Sequence, residues 1–159
     1  MGILEEGRAT LELTLAARMG LAAVFGFLVG LERESRGKSA GERTFAIVAL
    51  GAAGFAGVAA SLFPETAGQA VAGVAAGIGF LGVGIIWRAE EGQARGLTTA
   101  ASILGVASIG VVTGVGLYLT ATLATALALF ILEFDRMPGL GGLHRRVTGR
   151  PDEDEKERG

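Results

Sequence analysis

The chain has 159 residues, of which 50% are hydrophobic and 27 are glycine, and its formal net charge is only -2. The mean hydropathy of +0.51 is too high for a typical soluble domain of this length, so the composition indicates a membrane protein. Cysteine is absent and His144 is the single histidine, which excludes disulfides, thiolate sites and histidine-rich metal sites.

Long charge-free stretches predict five transmembrane helices, because about 20 apolar residues are needed to cross a hydrocarbon core of about 30 Å. The last two helices come from one apolar run that divides at Thr113–Gly116, where two glycines favour a tight turn. The expected spans are residues 11–31, 45–63, 70–87, 97–113 and 115–134. The predicted fold class is therefore an all-α integral membrane protein, with residues 136–159 as a disordered, charged tail.

The first span is the least regular of the five, since only Met19–Leu31 is free of charge. That stretch gives about 20 Å of helix, so the span must include Arg18. A signal peptide is the alternative, but the acidic segment before the apolar run argues against it. Arg18 is consequently a candidate functional charge inside the membrane, and snorkelling to the outer surface is the alternative.

Lysine and arginine are confined to alternate connections between the spans. The connection between helices 2 and 3 and that between helices 4 and 5 contain neither residue type. The basic connections and the tail carry Arg33, Arg36, Lys38 and Arg43, then Arg88 and Arg95, and then six further basic residues. Because basic loops stay in the cytoplasm, the carboxyl terminus is expected inside and residues 1–10 are expected to be extracytoplasmic.

An internal similarity relates helices 1–2 to helices 3–4. A shift of 54 residues pairs Thr44 with Thr98 and Leu50 with Leu104. The pattern predicts a tandem repeat of two helix pairs in the same orientation. The alternative is chance similarity, because alanine and glycine are abundant throughout the chain.

Seven glycines on helices 1 and 3 are candidates for helix packing, because small residues let helix backbones approach closely in a membrane. They are Gly26, Gly30, Gly73, Gly77, Gly79, Gly82 and Gly84. The run from Gly77 to Gly84 is dense enough to suggest a second interpretation, a kinked or broken helix that lines a polar cavity.

The clearest candidate site is the charged segment at the end of helix 1. Glu32 and Glu34 could supply carboxylate oxygens to a partly hydrated Mg²⁺, which favours one or two such ligands plus water. The alternative is an ion-pair network in which these glutamates pair with Arg33, Arg43 and Arg95.

The starts of helices 2 and 4 form a second candidate, because both carry threonine beside arginine. Thr44, Thr98 and Thr99 can cap free amide groups, and two helix amino termini that face each other would attract an anion. Simple capping is the alternative, and Glu32 or Glu34 is a candidate for the anion.

The sequence argues against two classes of function. No Ser/His/Asp set, metal-spaced cluster or nucleotide-binding loop is present, so an enzyme is not expected. The basic patch in the tail is followed directly by acidic residues, which disfavours nucleic-acid binding.

Four motifs in order resemble the membrane domain of the MgtC/SapB family. They are GFLVGLERESRGKSAGERT, IVALGAA, GIGFLGVGIIWR and RGLTTAASILGVASIGVVTGVGLYLTA, within residues 18–132. The resemblance implies an all-helical protein of the bacterial inner membrane. It also implies a role in magnesium limitation, with Mg²⁺ transport as the common label, and association with the F-type ATP synthase.

The chain departs from the family pattern at two places. Phe45 stands where the family typically has histidine after Gly-Leu-Arg-Thr. Longer members continue into an ACT-like domain after the last span, and this chain is expected to carry the membrane domain alone.

Two functions follow as hypotheses. The first is transport or sensing of Mg²⁺ as substrate or ligand, and the second is regulation of another membrane complex by helix contact. Short helices with glycine faces also predict a homodimer.

Overall fold

A computed structural model describes residues 2–87 and 96–134, with side chains for residues 5–86 and 96–134. Five α-helices and a short 3₁₀ turn, Pro64–Thr66, make up the described part, which contains no strand. The helices are α1 (Gly2–Ser35), α2 (Glu42–Leu62), α3 (Ala67–Trp87), α4 (Leu97–Gly114) and α5 (Tyr118–Glu133). The predictions of an all-α fold and of five helices are confirmed, and α1 to α4 are long and apolar enough to cross a membrane. Arg95 and the tail 136–159 lie outside the described residues.

Helix α1 is longer than the predicted span 11–31 because its polar first part is also helical. An ion pair between Arg8 Nε and Glu12 Oε1, 3.1 Å apart, supports this part at i, i+4 spacing. Glu5 in the first turn lies near the positive end of the helix dipole. Residues 2–10 are therefore the beginning of α1, and their extracytoplasmic location stays a prediction.

Helix α5 is shorter than the predicted span 115–134, because the turn after α4 takes up three residues. Gly116 has a φ of 89°, and its amide donates to the carbonyl of Thr113 while that of Leu117 donates to the carbonyl of Val112. These two bonds form a Schellman motif, which needs a left-handed residue and favours glycine there. The turn leaves 16 residues for α5.

Helix α2 lies between α1 and α4 and contacts both through small residues. A Cβ added at Gly26 or Gly30 of α1 would lie closer than 3.0 Å to the α2 backbone. The same holds for Gly110 and Gly114 of α4, which meet α2 from the other side. Of these four, the sequence singled out only the pair on α1.

Helix α3 is the most exposed of the four long helices. Among the described residues, no atom outside their own helix lies within 4 Å of a Cβ built at Gly73, Gly77, Gly79 or Gly84. The prediction that these four pack against a neighbouring helix therefore fails within the described part of the chain. Only Gly82 meets another helix, at 3.5 Å from the Ala100 Cβ.

The glycine-rich stretch of α3 is continuous helix, so the suggested break between Gly77 and Gly84 is not formed. The open side of α3 borders an apolar groove of about 650 Å³ that it shares with α2. We call this the α2–α3 groove. It is lined by Ile47, Val48, Gly51, Ala52, Phe55, Ala70, Gly73, Val74, Gly77, Ile78 and Leu81.

The proposed repeat and the orientation of the chain stay predictions. Helices α1 and α2 form one neighbouring pair and α3 and α4 another, but the two interfaces differ. The segment Gly26-Phe27-Leu28 recurs as Gly79-Phe80-Leu81 at a shift of 53 residues. A Cβ added at Gly26 would overlap the α2 backbone, whereas one added at Gly79 would have no described neighbour from another helix within 4 Å.

Candidate functional site

The last turn of α1 directs three charged side chains toward the other helices. Gly37, with a φ of 61°, ends α1 in a second Schellman motif, in which the amide of Lys38 donates to the carbonyl of Arg33. This end fixes the direction of the last turn. Glu32 and Arg36 are one turn apart and therefore lie on the same side of α1.

These side chains join α1 to α4 and α5. Arg33 Nη2 donates a hydrogen bond to Thr99 Oγ1 on α4, at 3.1 Å, and Arg33 Nη1 lies 3.9 Å from Glu32 Oε2. Arg36 Nε pairs with Glu32 Oε1, and Arg36 Nη2 lies 3.3 Å from Glu133 Oε1 at the end of α5. We call Glu32, Arg33, Arg36, Thr99 and Glu133 the polar cluster.

The polar cluster is buried at one end and open at the other. The side chains of Arg33 and Glu32 are 3% and 5% exposed, whereas those of Arg36 and Glu133 are 22% and 40% exposed. Two carboxylates face two guanidinium groups, so the formal charges cancel. Pairing lowers the cost of burying these charges, although neither oxygen of the Glu32 carboxylate makes a hydrogen bond with a described residue.

The carboxylates of Glu32 and Glu34 do not come together. Residues two apart on a helix do not face each other, and Glu34 lies instead against Gly41 and Glu42 at the start of α2. Glu32 is paired with arginines of the polar cluster. The predicted Mg²⁺ site of Glu32 and Glu34 is therefore not formed, and no group of three acidic or histidine side chains that could hold a metal occurs among the described residues.

Glu34 lies at the start of α2, beside a second carboxylate, that of Glu42. With Gly41, Glu42, Arg43 and Thr44 it lines a polar depression of about 380 Å³. A carboxylate at this end of α2 interacts favourably with the helix dipole. The interpretation of Glu34 as the anion at the start of α2 therefore agrees with its position.

The threonines do not cap their helices. Gly41 and Gly96 are the N-cap residues of α2 and α4, and neither cap makes a side-chain hydrogen bond. Thr44 and Thr98 are exposed, so the capping hypothesis is wrong for both. The helices begin two to three residues earlier than a threonine cap would require.

Thr99 and Arg43 also differ from the sequence-based hypothesis. Thr99 is inside α4 and is only 1% exposed, and it accepts the hydrogen bond from Arg33. The Arg43 side chain is 93% exposed and lies 3.9 Å from Glu42. Arg43 is therefore not part of the polar cluster.

Arg18 makes contacts at the opposite end of the bundle. Its Nη1 donates to the carbonyl of Gly114 at 3.0 Å, and its Nε donates to the Tyr118 hydroxyl at 3.1 Å. Arg18 thus ties α1 to the turn between α4 and α5. The contact supplies a hydrogen-bond donor to the carbonyl of Gly114, the last residue of α4.

Sequence reasoning missed two members of the polar cluster as site residues. In the sequence, Arg36 serves only as a basic residue of the connection after helix 1, although its i, i+4 spacing from Glu32 favours an ion pair. Glu133 lies near the end of the last predicted span, where a charge is expected simply because the apolar stretch ends. No local pattern indicates its contact with Arg36, which depends on how α5 packs.

Phe45, at the position where the family typically has histidine, belongs to the core. It is fully buried, and its carbonyl lies beside Gly26 of α1. The side chain packs in the main apolar cluster with Val29 and Ile103. The phenylalanine side chain at this position adds buried apolar surface to the core and carries no titratable group.

Comparison with known proteins agrees with the motifs. The model of the MgtC family matches residues 19–137. Protein MgtC of Salmonella typhimurium is 44% identical over 108 residues, which cover 68% of this chain and 46% of that protein. Protein MgtC of Brucella abortus is 39% identical over 117 residues, 73% of this chain and 49% of that protein.

A shorter relative is matched over most of its length. Protein SrpB of Synechococcus elongatus is 36% identical over 148 residues, 84% of this chain and 81% of that protein. The chain spans about half the length of the MgtC proteins that it matches, and no solved structure matches it significantly. With the four apolar helices, these matches identify a multi-pass membrane protein, and the chain belongs to the MgtC family.

Proposed function

We propose that this protein acts in magnesium homeostasis as a membrane regulator that packs against another membrane protein and does not conduct Mg²⁺. Family membership supports the link to magnesium limitation, which the sequence motifs also imply. The observation that carries the proposal is the charge pairing in the polar cluster, where Glu32 lies between Arg33 and Arg36.

A cation would have to displace both arginines to reach the Glu32 carboxylate. Mg²⁺ is bound by carboxylate oxygens together with retained water, and two guanidinium groups beside the carboxylate repel a divalent cation. The cluster is therefore better suited to holding helices together than to binding a metal ion.

The apolar core of the bundle consists of hydrocarbon side chains, which cannot coordinate an ion. Between α1, α2 and α4 lie Ala22, Val29, Phe45, Ala49 and Ala53, each no more than 1% exposed. An ion that entered this region would lose its hydration without gaining ligands, which is strongly unfavourable. The packing thus supports a static bundle.

The α2–α3 groove is the surface that we assign to the partner. Gly51, Gly73 and Gly77 line it, and small residues allow a second transmembrane helix to approach closely. Ile47 and Phe55 at its border are both 68% exposed. A transmembrane helix of another complex fits this chemistry, as the family resemblance implies for the ATP synthase.

Ion conduction is tested with purified protein in proteoliposomes that contain a fluorescent Mg²⁺ indicator. We expect the Mg²⁺ influx of the wild type to equal that of empty liposomes. Glu32→Gln and Glu34→Gln serve as paired variants. Influx above the empty liposomes that is lost in Glu32→Gln would overturn the non-conducting proposal.

The partner surface is tested by complementation of growth under magnesium limitation in a bacterial strain that lacks its own family member. Gly73→Leu fills the α2–α3 groove, whereas Gly68→Leu places the same side chain on α3 outside it; neither position has a neighbour within 4 Å. We expect growth with Gly68→Leu and loss of growth with Gly73→Leu at equal protein levels. Equal growth of the two variants would remove the groove from the proposal.

A further inference from the structure

Helix α5 is held at both of its ends by arginines, Arg18 of α1 and Arg36 directly after the end of α1. Arg18 Nε donates to the hydroxyl of Tyr118, the first residue of α5. Arg36 Nη2 lies 3.3 Å from Glu133 Oε1, which belongs to the last residue of α5. These two contacts define two polar levels, and the apolar surface of α5 lies between them.

The two polar levels are closer together than the two surfaces of a normal hydrocarbon core. From Tyr118 to Glu133, α5 rises about 22 Å, and from Arg18 to Arg36 the chain rises at most about 27 Å at 1.5 Å per residue. A typical hydrocarbon core is about 30 Å thick. Helix α2, with 21 residues, rises about 30 Å, so only one side of the bundle matches a normal bilayer.

The bundle itself cannot close this gap. Tilting shortens the reach of a helix along the membrane normal, and the guanidinium group of Arg18 is already engaged by Gly114 and Tyr118. The outer side of α5 is mainly apolar, although Thr120 and Thr122 near its start are also exposed. Its exposed residues include Leu119, Leu123, Leu127 and Ile131.

We infer that the outer face of α5 is a binding surface for a locally thinned bilayer, with a hydrocarbon layer of about 22 Å beside α5 and about 30 Å beside α2. A hydrophobic stretch shorter than the surrounding bilayer is accommodated when the lipid thins around it. The polar ends of α5 then lie at the two membrane surfaces, where Tyr118 and Glu133 meet water and headgroups.

Spin labels on single cysteines measure the local thickness directly, and the chain has no native cysteine to remove. One pair of labels replaces Leu119 and Ile131 on α5, and a matched pair replaces Ile47 and Phe55 on α2, all exposed positions. Accessibility to oxygen and to a water-soluble nickel reagent gives the depth of each label below its nearer surface. The sum of the two depths equals the local thickness minus the separation of the labels.

The α5 labels are about 18 Å apart along the helix. If a bilayer with a core of about 30 Å thins to about 22 Å beside α5, the depths of the two labels should sum to about 4 Å. An undistorted bilayer would give about 12 Å. The α2 labels, about 12 Å apart, should sum to about 18 Å in both cases and serve as the control.

A second measurement uses lipids with a core of about 22 Å. The inference predicts that the α5 sum stays near 4 Å while the α2 sum falls to about 10 Å. An α5 sum of about 8 Å or more in the thicker bilayer, or an equal fall in both sums, would overturn the inference. Labels on α5 that are shielded from both reagents would also overturn it, because protein would then cover the helix.

Discussion

The hydrogen bond between Arg33 and Thr99 can be removed with a change of almost no volume. Thr99→Val replaces the hydroxyl oxygen that accepts from Arg33 Nη2 by a methyl group. The site is closed to water, because Thr99 is 1% and Arg33 is 3% exposed. The variant therefore leaves a charged donor buried without its partner.

Two typical hydrogen-bond energies set the expected loss of stability for Thr99→Val. A hydrogen bond to a charged group contributes about 1.5–3 kcal/mol, whereas interhelical hydrogen bonds in membrane proteins average about 0.6 kcal/mol and reach about 1.7. Arg33 Nε already lacks a hydrogen-bond partner among the described residues, so the bond to Thr99 cannot be replaced easily within the cluster. We expect Thr99→Val to lower the free energy of unfolding by about 1.5 kcal/mol.

The assay is equilibrium unfolding of the purified protein in mixed micelles, with SDS as denaturant and helicity as the signal. Thr125→Val is the matched control, because Thr125 is equally buried and its hydroxyl donates only to Ala121 in its own helix. We expect a loss of about 0.5 kcal/mol or less for the control.

A double-mutant cycle with Arg33→Met isolates the contact itself. The coupling energy between the two positions should be about 1 kcal/mol or more. Equal losses for Thr99→Val and Thr125→Val, or a coupling energy near zero, would refute the assignment of the polar cluster as a link between α1 and α4.

Two further predictions concern packing and the opposite end of the bundle. Gly110→Ala should destabilise the fold by about 1–2 kcal/mol in the same assay, because the added Cβ would overlap the Ala49 carbonyl. The control Gly105→Ala, with open space around it, should be neutral or stabilising. A larger loss of stability for Gly105→Ala than for Gly110→Ala would contradict the close packing of α2 and α4. Arg18→Met should cost about 1–2 kcal/mol, because the Gly114 carbonyl loses a charged donor. Tyr118→Phe, which removes only an exposed hydroxyl, should cost less, and an equal loss would show that the carbonyl contact does not matter.

Helix number and type could be predicted from the sequence because the membrane acts on local composition. Moving a charge into hydrocarbon costs free energy, so charge-free stretches predict the spans regardless of how the helices pack against one another. The predicted helix boundaries differ from the observed ones at the starts of α1 and α5. The start of α1 depends on polar residues that form a helix outside the apolar stretch, and the start of α5 depends on a turn at Gly116 that consumes apolar residues.

The candidate site could be predicted only in part. The sequence identifies Glu32 and Arg33 as members of a charged group. It does not support Glu32 and Glu34 as joint metal ligands, because the helical period places Glu34 on another side of α1. Thr99 was identified for capping, and its actual contact with Arg33 joins residues 66 positions apart. Such a contact leaves no local signal in a single sequence.

The sequence by itself determined that this chain forms apolar helices with basic residues confined to alternate connections, because the transfer of charge and backbone into hydrocarbon is decided within about 20 residues. The tertiary structure alone decided which glycines touch a neighbour. Gly26 and Gly110 meet the backbone of α2, while Gly73 and Gly77 line an open groove. The residue type is the same in each case, and the difference arises from which helix packs beside it.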